Sequence, residues 1–137
     1  MQYRCWTCGR TYPVSEAVWR CECGGHLNSE GSEHLHRGDV IADRFSLWRY
    51  EKALPLSLRE AVTDLQEGLT PLVGAIWEGR DVRFKLDYMM PTGSFKDRGT
   101  AIVVNYLKKL GIDHVLEDSS GNAGASIAAY SAAAGMK

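Results

Sequence analysis

In Pro91-Thr92-Gly93-Ser94-Phe95-Lys96-Asp97-Arg98-Gly99, a glycine-bearing turn delivers a lysine into the first turn of a predicted helix. An amine placed there lies against the positive end of the helix dipole, which disfavours the ammonium form and favours a nucleophile able to condense with a carbonyl cofactor. A lysine on an open helix face has no such bias. The plainer reading is a well-capped helix, with Ser94 at the N-cap and Asp97 at N3 of a capping-box-like start. Capping alone leaves the cation at a helix N-terminus unexplained.

A second chemical segment is Ser119-Ser120-Gly121-Asn122-Ala123-Gly124-Ala125-Ser126, small and polar residues crossing from a predicted strand end to a helix start. Unpaired amides at that start, with serine hydroxyls beside them, form an anion cradle for a carboxylate or phosphate. The bland alternative is an ordinary capped helix packing closely through Ala125, Ala128, Ala129 and Ala132. A third cluster is Cys5-Trp6-Thr7-Cys8-Gly9 and Cys21-Glu22-Cys23-Gly24-Gly25, two thiol pairs separated by a short segment holding Tyr12, Pro13, Val18 and Trp19. Four soft sulfur ligands suit a closed tetrahedral zinc site with a structural role. Free thiols or disulfides are the alternative, since the second pair is one residue shorter than a Cys-x-x-Cys knuckle, and His26, His34 and His36 stand as substitute ligands.

The elements that must position these groups fall into three regions: a cysteine-bearing head over 1–27, a polar and helical connector over 28–66, and an α/β-patterned remainder over 67–137. Residues 28–33 read as exposed loop. Two short helices, near 45–50 and 58–62, are expected on either side of Pro55. Alternation over 82–87 predicts a strand with Val82, Phe84 and Leu86 inward. From Phe95 to Leu110 the stripe Phe95, Ile102, Val103, Tyr106, Leu107 and Leu110 predicts a helix, with Arg98, Asn105, Lys108 and Lys109 largely off it and Gly111 as its left-handed stop. A brief strand over 114–117 and an alanine-rich helix ending near Gly135 follow. Strand, helix, strand, helix is the order of a parallel-sheet unit, which places ligands at the C-terminal ends of its strands, where both the lysine turn and the serine-rich turn lie. So few parallel strands are poorly covered, so the pattern predicts part of a larger fold or a chain that completes its core by association.

The chain has 137 residues, enough for one ordinary domain or for a metal module joined to part of a larger one. Its 16 basic and 17 acidic residues are interspersed, so nothing suggests a nucleic-acid or membrane partner. No apolar run approaches the roughly 20 residues of a membrane span and no secretory signal opens the chain, which makes the cytoplasm the default expectation.

Together these residues resemble the N-terminal part of pyridoxal-phosphate enzymes of the threonine synthase family, within the group that includes threonine dehydratase and cysteine synthase. The likeness runs through nearly the whole chain. The cysteine pairs resemble the zinc-ribbon-like head of some members, Leu47-Trp48-Arg49-Tyr50 before Leu54-Pro55 resembles their connector, and Glu67-Gly68-Leu69-Thr70-Pro71-Leu72 resembles their Glu-Gly-Gly-Thr-Pro-Leu. The resemblance implies an α/β fold in which a zinc-ribbon-like head is followed by the start of a parallel-sheet cofactor domain. It also implies that Lys96 carries pyridoxal phosphate, that Asn122 approaches the cofactor's 3-hydroxyl oxygen, and that Ser119, Ser120, Gly121, Asn122 and Ala123 hold the substrate carboxylate. Cys5, Cys8, Cys21 and Cys23 would ligate zinc.

Such enzymes supply a glycine loop for the cofactor phosphate and a hydroxyl partner for its ring nitrogen further along the chain, and neither is among these residues. The implied activity is that of a lyase converting O-phosphohomoserine and water to threonine and phosphate, with this portion alone inactive. Met90 and Ala123-Gly124 depart from the family's usual residues and keep a cysteate-synthase-like or other β-replacement enzyme open. A zinc-ribbon association module without catalysis, and a thiol-redox protein using Cys5 and Cys8, are the readings from other classes.

Overall fold

The computed structural model describes residues 1–31 and 34–137. In the head, β1 (Gln2–Cys5) is the centre of a three-stranded antiparallel sheet, flanked by β2 (Thr11–Pro13) and β3 (Leu27–Glu30). Tyr3 pairs with Tyr12 on one side and Ser29 on the other. Residues 28–30 are thus strand rather than the expected loop, because β1 offers them a full set of backbone partners. Ser32 and Glu33, also assigned to that loop, lie outside the described residues.

In the connector, a 3-10 helix over Leu47–Ala53 ends before Pro55 and buries Trp48 completely. The second helix expected near 58–62 does not form. The Glu60 carboxylate accepts the Ser57 amide at 2.8 Å and closes a turn instead. The Leu47 amide donates to the Glu67 carbonyl at 2.6 Å, and Gly68, at φ 112°, lies so close that a Cβ there would sit 2.6 Å from the Leu47 nitrogen. Only glycine fits that crossing.

The predicted strand is the second arm of a hairpin. β4 (Leu72–Trp77) and β5 (Arg80–Lys85) pair antiparallel through Glu78 and Gly79, both at positive φ as a tight two-residue hairpin turn requires. Sequence alternation pointed to β5 two residues late and missed β4. Val82 and Leu86 are half-buried as expected of an inward face, but Phe84 is 40% exposed, because no second layer covers the hairpin among the described residues.

Two helices form the centre: α1 (Lys96–Lys109) and α2 (Asn122–Ala133). Gly111, at φ 78°, closes α1 as expected. The buried face of α1 is rotated from the predicted stripe: Thr100, Ala101, Val104 and Asn105 are inside, whereas Phe95 and Val103 are 57% and 47% exposed. Asn105, expected on the solvent side, is a buried hub. Its carbonyl oxygen accepts the amides of Val62 and Thr63 at 2.7 and 2.9 Å, and its amide nitrogen donates to the Thr63 and Ala101 carbonyls at 2.8 Å. Four bonds satisfy every donor and acceptor of that side chain and tie the connector to α1.

On α2, Ser126, Tyr130 and Ser131 face inward while Ala125, Ala128 and Ala132 are exposed, so the alanine stripe is not the packing face. The core gathers Ala101, Val104, Tyr130, Ala134 and Met136, with Leu65, Leu107, Ile112, Val115 and Ile127 around it.

The expected parallel sheet is represented by a single pair. The Lys137 amide donates to the Asp113 carbonyl at 2.8 Å and the Val115 amide to the Lys137 carbonyl at 2.7 Å, the slanted pattern of a parallel ladder centred on His114 and Lys137. Both sheets of the described residues are antiparallel, and 114–117 is not a strand, because a ladder needs more than one residue of partner. No helix of the described residues is long and apolar enough to cross a membrane.

Candidate active site and metal centre

The lysine turn is built by its neighbours. Gly93, at φ 78°, donates its amide to the Met90 carbonyl at 2.8 Å and reverses the chain ahead of α1. Ser94, buried, accepts the Lys96 amide on its hydroxyl at 3.2 Å. Asp97 does not complete a capping box. Its fully buried carboxylate instead accepts the Thr92 amide at 2.8 Å and the Thr92 hydroxyl at 2.5 Å, holding the turn closed from inside. With Asp97 turned inward, Lys96 is exposed, its Nζ 4.9 Å from the centre of the Phe95 ring.

In the serine-rich turn, Gly121 donates its amide to the Ser119 hydroxyl at 3.2 Å, and the first bond of α2 runs from the Ala125 amide to the Gly121 carbonyl at 3.1 Å. The amides of Asn122, Ala123 and Gly124 therefore precede any intrahelical partner and stand at the positive end of α2. A Cβ on Gly124 would lie 2.5 Å from the Ser119 carbonyl oxygen, so the helix start and the loop are in backbone contact and glycine is required there. Ser120 and Asn122 are exposed and Ser119 is half-buried.

One contact joins the two turns. Ser126, on the first turns of α2, donates its hydroxyl to the Asp97 carboxylate at 2.6 Å, and both side chains are fully buried. The structure thereby brings the N-terminal ends of α1 and α2 together, with Lys96 and the 119–123 loop beside them. Sequence reasoning placed Asp97 in a cap and Ser126 in a cradle, and saw neither as a bridge. The signal available was a short acid in the first turn of one helix and a serine in the first turns of the next.

A second buried acid lies behind this bridge. Glu67 is fully buried, accepts the Tyr130 hydroxyl at 2.8 Å and the Leu65 amide at 3.1 Å, and leaves its other carboxylate oxygen without a partner. Burial pushes its carboxyl up from the usual range, against the opposing pull of the Tyr130 bond, and burial likewise raises the Tyr130 phenol. In front, the Arg98 guanidinium bonds Asp87 at 2.8 Å and, with the Thr70 hydroxyl, holds that carboxyl down to about 2.

The four cysteine sulfurs all lie within 4.8 Å of one another, and no histidine joins them among the described residues. Cys5 and Cys23 are 3.6 Å apart and Cys8 and Cys21 3.5 Å, close to the roughly 3.8 Å edge that tetrahedral zinc–sulfur bonds of about 2.3 Å define. Gly9 and Gly24, at φ 74° and 82°, close the two turns, and a Cβ on Gly25 would come within 2.7 Å of the Cys5 sulfur. The Tyr12 hydroxyl, 3.1 Å away, lowers Cys21 to about 6. The Gly25 amide acts to lower Cys23, yet its three sulfur neighbours push it up to about 12. Thiols so crowded cannot all ionise without a cation among them. The head also touches α1, where the Tyr3 hydroxyl donates to that of Tyr106 at 2.9 Å and Tyr106 donates to the Val14 carbonyl.

Residues 63–137 match the family described as pyridoxal-phosphate dependent enzyme, and the chain belongs to that family. Among curated proteins it is similar to a threonine synthase of Methanocaldococcus jannaschii, 38% identical over 152 residues that cover 100% of this chain and 36% of that protein. A threonine synthase of Methanosarcina acetivorans is 36% identical, over 97% of this chain and 35% of its own length, and one from Synechocystis sp. is 43% identical, over 64% and 25%. The chain thus spans about a third of the length of the first two relatives. No solved structure gives a significant match.

Proposed function

We propose that this chain is the lysine-bearing part of a pyridoxal-phosphate-dependent lyase that converts O-phosphohomoserine and water to threonine and phosphate. The observation that carries the reading is the Ser126 to Asp97 to Thr92 bridge, which sets a primary amine and a row of unpaired amides at one end of two packed helices. The donor set suits the group: an exposed amine for its carbonyl, the Asn122 amide for a ring oxygen, and backbone amides for a substrate carboxylate. When bound, pyridoxal phosphate supplies a carbonyl that condenses with amines and a ring that accepts electron density from the substrate's α carbon.

Lys96 would hold the cofactor, give way to the incoming amino acid, and then take and return protons at the α and β carbons. Within the loop of Ser119, Ser120, Gly121, Asn122 and Ala123, the unpaired amides of Asn122 and Ala123 would orient the carboxylate, and the Asn122 side chain would fix the ring's rotation. In the head, Cys5, Cys8, Cys21 and Cys23 would hold one structural zinc, because the spacing matches and a four-sulfur shell leaves no position for substrate.

The test uses the complete enzyme supplied with O-phosphohomoserine, following threonine formation and phosphate release together. Equal yields of the two, abolished in Lys96→Ala, are expected. Turnover of a sulfur nucleophile in place of water would assign a β-replacement reaction of the cysteate-synthase kind instead.

A further inference from the structure

Asp97 makes no contact with solvent, yet three donors from two separate segments converge on its carboxylate: the Thr92 amide, the Thr92 hydroxyl and the Ser126 hydroxyl, at 2.8, 2.5 and 2.6 Å. Two of these fix the turn that presents Lys96, and the third fixes the helix whose first amides form the 119–123 cradle. A helix start needs no such arrangement, since a cap is satisfied by one local bond. Gly124 adds a constraint on the same side: its backbone rests on the Ser119 carbonyl, so a shift of α2 is passed directly to the serine loop.

We propose that Asp97 and Ser126 are positioning residues that set the separation between the lysine and the carboxylate cradle, so that capture of the cofactor and binding of the amino acid are coupled through one buried carboxylate. This rests on the reading of Lys96 as the cofactor lysine. Its content is a split between the two halves of the site. Loosening the Ser126 side displaces the cradle while the lysine turn stays closed by Thr92. Loosening the Thr92 side displaces the lysine while the cradle keeps its own bonds, Gly121 to Ser119 and Ala125 to Gly121.

The experiment traps pyridoxal phosphate on the complete chain with borohydride, maps the labelled lysine, and measures the concentration of O-phosphohomoserine that halves the labelling. Loss of one hydrogen bond to this buried carboxylate is expected to be felt about tenfold. Ser126→Ala is expected to raise the half-protecting concentration about tenfold while changing the rate of Lys96 labelling less than threefold, and Ser126→Thr, which keeps the hydroxyl, restores protection. Thr92→Val is expected to show the reverse, slowed labelling with protection nearly unchanged. Circular dichroism confirms that each variant keeps its helices, and Ser126→Cys, which replaces the hydroxyl with a weak thiol donor without emptying the site, serves if Ser126→Ala does not. Unchanged protection in Ser126→Ala, or equal loss of both readouts in the two variants, overturns the coupling while leaving Lys96 as the cofactor lysine. Absence of specific Lys96 labelling, or of any protection, in the unsubstituted chain overturns the reading beneath it as well.

Discussion

Single residues show where this sequence spends stability on its site. Glu67 is an acid without a cation partner, buried with one oxygen unpaired. Because its folded carboxyl is shifted upward, folding favours the neutral form; that contribution is complete below the unfolded value and is lost as pH rises past it. Glu67→Gln, which keeps an acceptor for Tyr130 and Leu65, is therefore expected to match the parent in thermal unfolding at pH 4 and to exceed it at pH 8. At this scale residue type singles out Lys96 and the cysteines as candidates, whereas the pairing of Asp97 with Ser126 spans 29 positions and has no local signature.

Among the elements, legibility followed the source of each one's stability. α1 and the glycine that stops it were readable because capping and propensity act locally, but its buried face was not. Thr100, Ala101 and Asn105 go inward because α2 and the connector bring hydrogen-bond partners and close backbones, which hydropathy does not report. β1, β2 and β3 are too short for a periodic signal and exist because cysteine turns fold them together. On the proposed four-cysteine zinc site, one zinc per chain is expected by elemental analysis, falling below half in Cys23→Ser, and a chelator should abolish β-sheet protection in the head while leaving exchange at α1 within a few-fold. The clamp between hairpin and α1 has its own pH signature. Asp87 is depressed by Arg98 to about 2, so its contribution is complete above about pH 4 and disappears as pH falls through the folded value. Asp87→Asn should flatten the acid limb of the stability profile between those limits and leave the neutral limb parallel to the parent.

Over the whole molecule, the conspicuous property is uncovered apolar surface. Ile76 and Trp77 on the hairpin are 69% and 61% exposed, and Leu116, beside the lone parallel pair, is 97% exposed. Surfaces of this kind are normally covered in a folded protein, and the chain spans about a third of its first relatives. The isolated 137-residue chain is expected to associate at micromolar concentration, and Ile76→Lys with Trp77→Glu to reduce the sedimenting oligomer severalfold; a monomer throughout would show the hairpin to be self-sufficient. The α/β class and the two helices were legible from pattern, whereas β4 was not read and the expected parallel strand over 114–117 does not form among the described residues.

Lys96 is proposed as the amine that captures an aldehyde cofactor. Reduction with borohydride in the presence of pyridoxal phosphate, followed by peptide mapping, measures it directly. One adduct on the peptide containing Lys96, absent from Lys96→Ala, is the predicted result. Label spread over surface lysines such as Lys52, Lys85 and Lys109, with no preference for Lys96, would contradict it.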